Sequence, residues 1–354
     1  MSVRVIVAMS GGVDSSVAAS LLKSNGCEVI GVFMRMGEIA GGARGPRRPC
    51  CSLESAEDAR AVARKLDIRF YVMNYRDDFR ALVEDFMDEY GRGRTPNPCV
   101  LCNSRLKFGK MMDFARAMEA GFVATGHYAR VERAASGRFL LRKAVDLSKD
   151  QSYALFCLNQ EQLSRVLFPL GGIEKKETRR IARDLGLPVH QKAESQDICF
   201  VPDGDYPALI ESLRPGSLKE GQIVTLDGRV VGRHRGYQCY TIGQRRGLRV
   251  AFGRPMYVVR IEAGSNRVVV GEDADLARSE LIASNVNWIC AAPSAPFKAS
   301  VKLRYSHAGA PASVEPVSAN RVRVVFDDSQ RAVTPGQAAV FYDADVVLGG
   351  GWIE

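Results

Sequence analysis

The residues best suited to chemistry in this chain are thiols. Thr95-Pro96-Asn97-Pro98-Cys99-Val100-Leu101-Cys102-Asn103 sets two cysteines three positions apart on a proline-bracketed stretch. Two prolines fix φ and disfavour helix, so both thiols are expected on a short irregular segment that presents them in a set geometry. A third thiol, Cys199, follows the polar run Ser195-Gln196-Asp197. Cys50-Cys51-Ser52-Leu53-Glu54 opens a helical pattern, where the helix dipole would favour a thiolate. A Cys-x-x-Cys pair is also half of a structural zinc site. Such a site needs a second pair or paired histidines, and His127, His190, His234 and His307 are scattered. For Cys27, Cys157, Cys239 and Cys290 the expected role is that of a small buried apolar residue.

The second group is Ser10-Gly11-Gly12-Val13-Asp14-Ser15-Ser16, which follows the apolar run Val3 to Met9 and precedes a helical pattern from Val13 to Lys23. At a strand-to-helix junction the free backbone N–H groups and the positive end of the helix dipole favour an anion. Two glycines let the backbone curl closely around it, and three serines add donors. Asp14 could hold a metal that accompanies phosphates. The competing reading is an N-cap cluster, since Ser and Asp both cap well. Neither G-x-x-x-x-G-K-[ST] nor a strand-linked G-x-G-x-x-G is present, so the lysine that the common mononucleotide loop sends to the β- and γ-phosphates is missing.

These groups need a scaffold. Strand patterns at Val3–Met9, Cys27–Met36, Ile68–Asn74 and from Phe122 alternate with helical ones at 53–66, 79–90 and 106–119, and Glu174–Leu185 is the last long helix. That alternation predicts a parallel α/β sheet with right-handed crossovers. From Gly221 onward short alternating runs are broken by turns at Asp227-Gly228, Gly264-Ser265 and Asp343 to Asp345, which predicts β-sheet or barrel. The expected domains are residues 1–203, carrying nucleotide and thiols; 204–272, β-rich; and 273–354, a C-terminal β-barrel.

The 354 residues hold 49 Lys and Arg against 40 Asp and Glu, a net charge of +9 that suits a polyanionic partner. The surplus is local. Residues 228–261 contain eight arginines (229, 233, 235, 245, 246, 249, 254 and 260), no acid, and interleaved Tyr237, Tyr240 and Tyr257. Arginine forks onto phosphate and stacks on bases, so this stretch reads as an RNA-binding face or as a solvated arginine surface. Gly41 to Pro49 is a second, flexible basic loop. No apolar run reaches the roughly 20 residues that span a bilayer, and the apolar N-terminal run is too short for a signal peptide. A cytoplasmic chain is expected, with no membrane contact and a monomer as the default.

SGGVDSS resembles the loop of the PP-loop ATP pyrophosphatases, which grip pyrophosphate while an oxygen nucleophile attacks the α-phosphate. The resemblance sharpens over VAMSGGVDSS, CCSLESAEDARAVARKLDIRFYVMNY, GRTPNPCVLCNSRLKF, ATGHYAR, KDQSYALF, SQDICFV, YTIGQRRGL, KLRYSH and VTPGQAAVFYD with its following GGGWI. Together these run from end to end and resemble the bacterial tRNA-specific 2-thiouridylase family. The resemblance implies ATP-dependent 2-thiolation of the wobble uridine of tRNA, with magnesium, and with sulfur delivered as a persulfide by a sulfur-relay protein or cysteine desulfurase.

It also implies roles. Cys199 would carry the persulfide, and Cys102 would be the second catalytic cysteine, closing a Cys102–Cys199 disulfide on release of the sulfur. Ala8, Met9, Ser10, Gly11, Gly12, Val13, Asp14, Ser15, Met34 and Gly126 fall at ATP-binding positions. Asn97, Pro98, Cys99, His127, Lys149, Asp150, Gln151, Arg304, Tyr305 and Gln337 fall at tRNA-binding ones. Plainer roles stand beside these: core packing for Met34, a satisfied loop histidine for His127, a solvated lysine for Lys149. Cys99 departs from the polar residue, often aspartate, found at its position in the family, and a thiol is the weaker acid–base near neutral pH. Cys99, Cys102 and Cys199 could instead hold an iron–sulfur cluster whose open iron binds hydrosulfide, the alternative mechanism.

Overall fold

A computed structural model describes residues 2–37, 53–193, 198–201, 204–250 and 253–354. Cys50, Cys51, the 41–49 loop, Ser195 to Asp197 and Asp203 lie outside these. The first layer is built on β1 (Arg4–Ala8), α1 (Val13–Ser24), β2 (Glu28–Arg35), α2 (Leu53–Lys65), β3 (Arg69–Asn74) and α3 (Arg76–Gly91). There follow α4 (Pro98–Leu101), a π-helical stretch over Cys102–Lys110, α5 (Met111–Ala117), β4 (Phe122–Ala124), the hairpin β5 (Ala129–Arg133) and β6 (Phe139–Lys143), α6 (Gln160–Leu163), β7 (Val166–Leu167) and α7 (Lys175–Asp184).

Strands β3-β2-β1-β4-β7 form a five-stranded sheet, and every pair in it is parallel. Alternate residues feed opposite faces, as a pleated strand requires. Val5, Val7, Val29 and Phe33 pack with α1, α2 and Ala182 of α7, while Ile6, Ile30, Val32 and Met34 pack with α3 and α5. The chain runs outward from β1 to β3 and then crosses to β4 on the other side of β1. The carboxyl ends of β1 and β4 therefore flank the crevice where doubly wound sheets bind ligands.

After α8 (Tyr206–Leu213), strands β8 (Gly221–Thr225), β9 (Val230–His234), β10 (Tyr257–Glu262) and β11 (Arg267–Gly271) form a four-stranded sheet in the order β10-β11-β8-β9. The last six strands are β12 (Ala277–Trp288), β13 (Phe297–Lys302), β14 (Ala310–Ser318), β15 (Arg321–Arg331), β16 (Ala338–Asp343) and β17 (Val346–Ile353). They run antiparallel in the order β12-β15-β14-β13-β16-β17 and close through a β12–β17 pairing. The α/β layer followed by β-rich domains and a barrel is thus the expected architecture.

One connection departs from a simple reading of the chain. The β5–β6 hairpin belongs in sequence to the α/β layer, yet it extends the barrel sheet, with Leu141 and Arg142 paired to Val347 and Val346. Arg130 and Arg142 each donate to Asp345 in the β16–β17 turn at 2.7 Å. Among the described residues no helix is long and apolar enough to cross a membrane.

Candidate functional site

β1 ends at Ala8, with Met9 buried behind it, and α1 begins at Val13 with Gly12 as its extended N-cap. Gly11 has φ +71°, and a Cβ there would lie 2.2 Å from the Ser55 carbonyl oxygen, so the loop folds directly onto α2. A Cβ at Gly126, after β4, would lie 2.7 Å from the Ser15 nitrogen. Only glycine permits this approach of the β4 loop to the start of α1. The Ser10 and Ser15 hydroxyls sit 3.3 Å apart, and Ser16 donates to the Gly12 carbonyl at 2.8 Å. The expected ATP-binding residues Ala8 to Ser15 and Gly126 are therefore one contiguous cradle. Met34 packs in the α3–α5 core and is 8% exposed.

Two lysines that were not apparent from local sequence frame this cradle. The Lys175 ammonium donates to both Asp14 carboxylate oxygens at 2.7 and 2.8 Å. The Tyr128 hydroxyl donates to Asp14 at 3.2 Å, and the Lys175 ammonium lies 5.5 Å from the centre of the Tyr128 ring. The Lys192 ammonium donates to the Gly11 carbonyl at 3.0 Å and to Asp58 at 2.7 Å. The loop has no lysine of its own, but the fold sets cations beside it from α7 and from the segment leading to Cys199. Only the third dimension relates Lys175 to Asp14, 161 positions apart.

The thiols are carried by α4, the π-helical stretch and the segment around Phe200, all packed on α3. Cys99 to Leu101 are α-helical, so the expectation of an irregular segment fails for both cysteines. Pro98 occupies the first helical turn, where its missing N–H costs no hydrogen bond and its fixed φ suits the helix. At Cys102 the helix widens to π geometry, a local irregularity often found at functional sites. Cys99 is exposed; Cys102 and Cys199 are half-buried against the same apolar cluster. The Cys199 segment is anchored by Phe200, whose ring meets Phe79 and Phe86 of α3 edge-on at 5.5 and 5.1 Å. Cys157 is also near, its Sγ 3.6 Å from the Val100 carbonyl oxygen, and burial pushes its thiol up to about 12. Among the described residues no group of three or more His, Cys, Asp or Glu side chains is placed to hold a metal ion. Cys99, Cys102 and Cys199 form no such group, so their placement does not fit an iron–sulfur cluster.

The expected tRNA-binding residues divide. Tyr305 and Arg304 are exposed, and Lys149 and Gln151 are half-buried. His127 is buried between the rings of Phe108 and Phe168, its Nδ1 2.7 Å from the Thr125 hydroxyl. Burial, with Lys107 nearby, holds its imidazole well below the usual range. Asp150 is buried and accepts from the Ala144 N–H, the Ser152 N–H and the Ser152 hydroxyl, so it braces its own turn. The Gln151 side chain accepts from the Tyr128 N–H. Asn97 bonds the Tyr153 hydroxyl, which also donates to the Ala338 carbonyl, and Gln337 reaches Thr95 and Pro96. In the four-stranded domain Arg245, Arg249 and Arg254 line an open cavity of about 700 Å³ with Leu248, Val250 and Met256. Arg254 pairs with Glu272 and Arg260 with Glu262, whereas Arg245, Arg246 and Arg249 have no acidic partner among the described residues.

Three family models match in succession: a tRNA methyl transferase HUP domain over residues 3–203, a tRNA methyl transferase PRC-barrel domain over 213–272, and an aminomethyltransferase β-barrel domain over 278–353. The chain is thus a HUP-domain protein with two appended barrel domains. A tRNA-specific 2-thiouridylase from Geotalea uraniireducens is 50% identical, with 99% of this chain and 95% of that one covered. One from Clostridioides difficile is 47% identical, covering 100% and 99%. The chain belongs to the tRNA-specific 2-thiouridylase family, whose members are tRNA sulfurtransferases. A solved 4-thiouridine synthetase–RNA complex with bound ATP superimposes loosely, at TM-score 0.35 and 18% identity over 56% of this chain and 45% of that one.

Proposed function

We propose that this chain replaces the C2 oxygen of the wobble uridine in tRNA with sulfur, at the cost of one ATP. The observation that carries this reading is the joint placement of a lysine-framed anion cradle and two cysteine segments packed on one α3 core. The uracil O2 is a poor leaving group. Its attack on the α-phosphorus of ATP expels pyrophosphate and turns it into AMP. The cradle N–H groups balance the charge of the phosphates as this happens, joined by Lys175 and Lys192 once ATP draws them from Asp14 and Asp58. ATP-bound magnesium would find its protein carboxylate in Asp14.

A persulfide on Cys199 then attacks C2 and expels AMP, leaving an RNA–S–S–Cys199 linkage. The Cys102 thiolate attacks the Cys199 sulfur, 2-thiouridine departs, and a Cys102–Cys199 disulfide forms. An external dithiol supplies the two electrons that restore both thiols. A sulfur-relay protein or cysteine desulfurase would reload Cys199. The target base must leave its stack to be reached, and Arg245, Arg246 and Arg249, which have no acidic partner among the described residues, offer charge for the RNA backbone.

Mass spectrometry of nucleosides tests the reading. Transfer RNA is incubated with the enzyme, ATP, magnesium and a persulfide donor. The expected product is 2-thiouridine, an exchange of oxygen for sulfur. A gained methyl group instead, or unchanged uridine, overturns the proposal.

A further inference from the structure

Tyr128 joins the SGGVDSS loop to the 144–152 turn, which carries Lys149, Asp150 and Gln151. On one side its backbone is clasped by a single residue. The Tyr128 N–H donates to the Gln151 side-chain oxygen at 2.9 Å, and the Gln151 N–H donates to the Tyr128 carbonyl at 2.8 Å. The clasp uses only the acceptor end of the Gln151 amide, and the two amide hydrogens take no part in it. On the other side the tyrosine is buried, and its hydroxyl lies 3.2 Å from Asp14 and 2.9 Å from the Thr178 hydroxyl of α7. The Thr178 contact keeps the phenol in line with the carboxylate.

The other end of the turn reaches Asp14 by a second route. Asp146 accepts from the Lys175 backbone N–H at 3.0 Å, and the Lys175 ammonium donates to both Asp14 oxygens. Between these ends the turn is braced. Asp146 also accepts from the Ser148 N–H and hydroxyl at 3.1 and 2.6 Å, and Asp150 from the N–H groups of Ala144 and Ser152 at 3.0 and 3.2 Å. A braced turn moves as a body, and Leu147 near its tip is 72% exposed, so its outer side is open to a ligand. The two routes part when a nucleotide enters. Lys175 carries a charge that phosphates draw away from Asp14. Tyr128 is neutral and stays, so it is the support left to the carboxylate.

We propose that Tyr128 is a positioning residue for adenylation: it holds the Asp14 carboxylate as the 144–152 turn sets it, so tRNA docked on that turn strengthens ATP binding, and ATP strengthens tRNA binding by the same factor. A ligand that fixes the turn leaves less ordering for the second ligand to do. This rests on the reading above that the chain adenylates tRNA, and on the RNA contact expected at residues 149–151.

The test uses the full-length enzyme, unmodified tRNA and an ATP analogue with a methylene α–β bridge, so that nothing turns over. Calorimetry gives the dissociation constant of the analogue with and without saturating tRNA. Wild type is expected to bind it at least about fivefold more tightly with tRNA present. In Tyr128→Phe that gain should fall below about twofold, with tRNA affinity in the absence of nucleotide within about twofold of wild type. A residue that only supports the fold would weaken the analogue equally with and without tRNA, and that result overturns the proposal. So do a wild type that gains nothing from tRNA, a Tyr128→Phe enzyme that keeps the whole gain, and one that loses tRNA affinity on its own. Thr178→Val releases the Tyr128 hydroxyl from its second partner and should also lower the gain. It carries the test if Tyr128→Phe fails to fold, and an unchanged gain there overturns the proposal. A wild-type enzyme that makes no 2-thiouridine with ATP and a persulfide donor overturns the underlying reading instead, and is told apart because the binding measurements need no turnover.

Discussion

Lys175 closes on Asp14 through both carboxylate oxygens, at 2.7 and 2.8 Å, joining the start of α7 to the first turn of α1. The lysine side chain is 10% exposed and the aspartate 32%. Lys175→Met leaves a partly buried carboxylate without its cation, which costs about 1–3 kcal/mol for an unsatisfied buried group. The expected outcome is a lowered melting temperature and tRNA-dependent pyrophosphate release reduced at least tenfold. Full pyrophosphate release in a folded Lys175→Met enzyme would remove the cation from the adenylation step.

Cys102→Ser and Cys199→Ser separate the two half-reactions. Both variants keep the anion cradle, so both are expected to release pyrophosphate with tRNA present and to form no 2-thiouridine. Thiolation by either serine variant at more than a few per cent of the wild-type rate counts against the disulfide-forming route.

Arg245, Arg246 and Arg249 have no acidic partner among the described residues, so their charge is available to phosphate. Each arginine that neutralises one phosphate contributes about one unit to the slope of log affinity against log salt. Replacing Arg245 and Arg249 by Gln should lower the tRNA-binding slope by about two, measured by filter binding over a salt series. An unchanged slope would assign these arginines to the protein surface alone.

His127, His234 and His307 are all held below the ordinary histidine range, chiefly by burial. The folded state therefore takes up fewer protons than the unfolded chain once the pH drops below about 6.5. Stability from these groups is fully present above that pH and falls as pH decreases, by up to about 1.4 kcal/mol per pH unit for each histidine still neutral. The urea midpoint should fall between pH 7 and pH 5, and His127→Asn should flatten that dependence. An equally steep profile in the variant would exclude His127 as a source.

Exposure and burial rank the thiols. Iodoacetamide at pH 8 should label Cys99 at least tenfold faster than Cys157, whose thiol is pushed up to about 12. Peptide mass spectrometry over a time course reads this directly, and comparable rates would place Cys157 in a more open setting.

Much of the cradle was legible because its signals are local. An apolar run, a double glycine and a serine-rich helix start occupy adjacent positions, and β1, the loop and α1 follow from them. Pro98 is ambiguous in sequence because the same residue that breaks a helix interior is well suited to a first turn, where the fold puts it. Lys175 and Lys192 carry no local mark; each looks like a surface lysine until α7 and α2 are folded beside the loop. Gln337 shows a different limit. Its amide donates to the Thr95 and Pro96 carbonyls, and which carbonyls come within its reach is decided by tertiary packing.

The β5–β6 hairpin has a consequence for how this molecule is made. Arg142 and Asp345 are 203 positions apart, and at about 5–20 residues per second the ribosome needs roughly 10–40 s to supply the second after the first. Throughout that interval β6 offers an unpaired edge to any neighbouring chain. A fragment ending near residue 203 would keep that edge for good, so it should aggregate rather than survive as an independent adenylating unit.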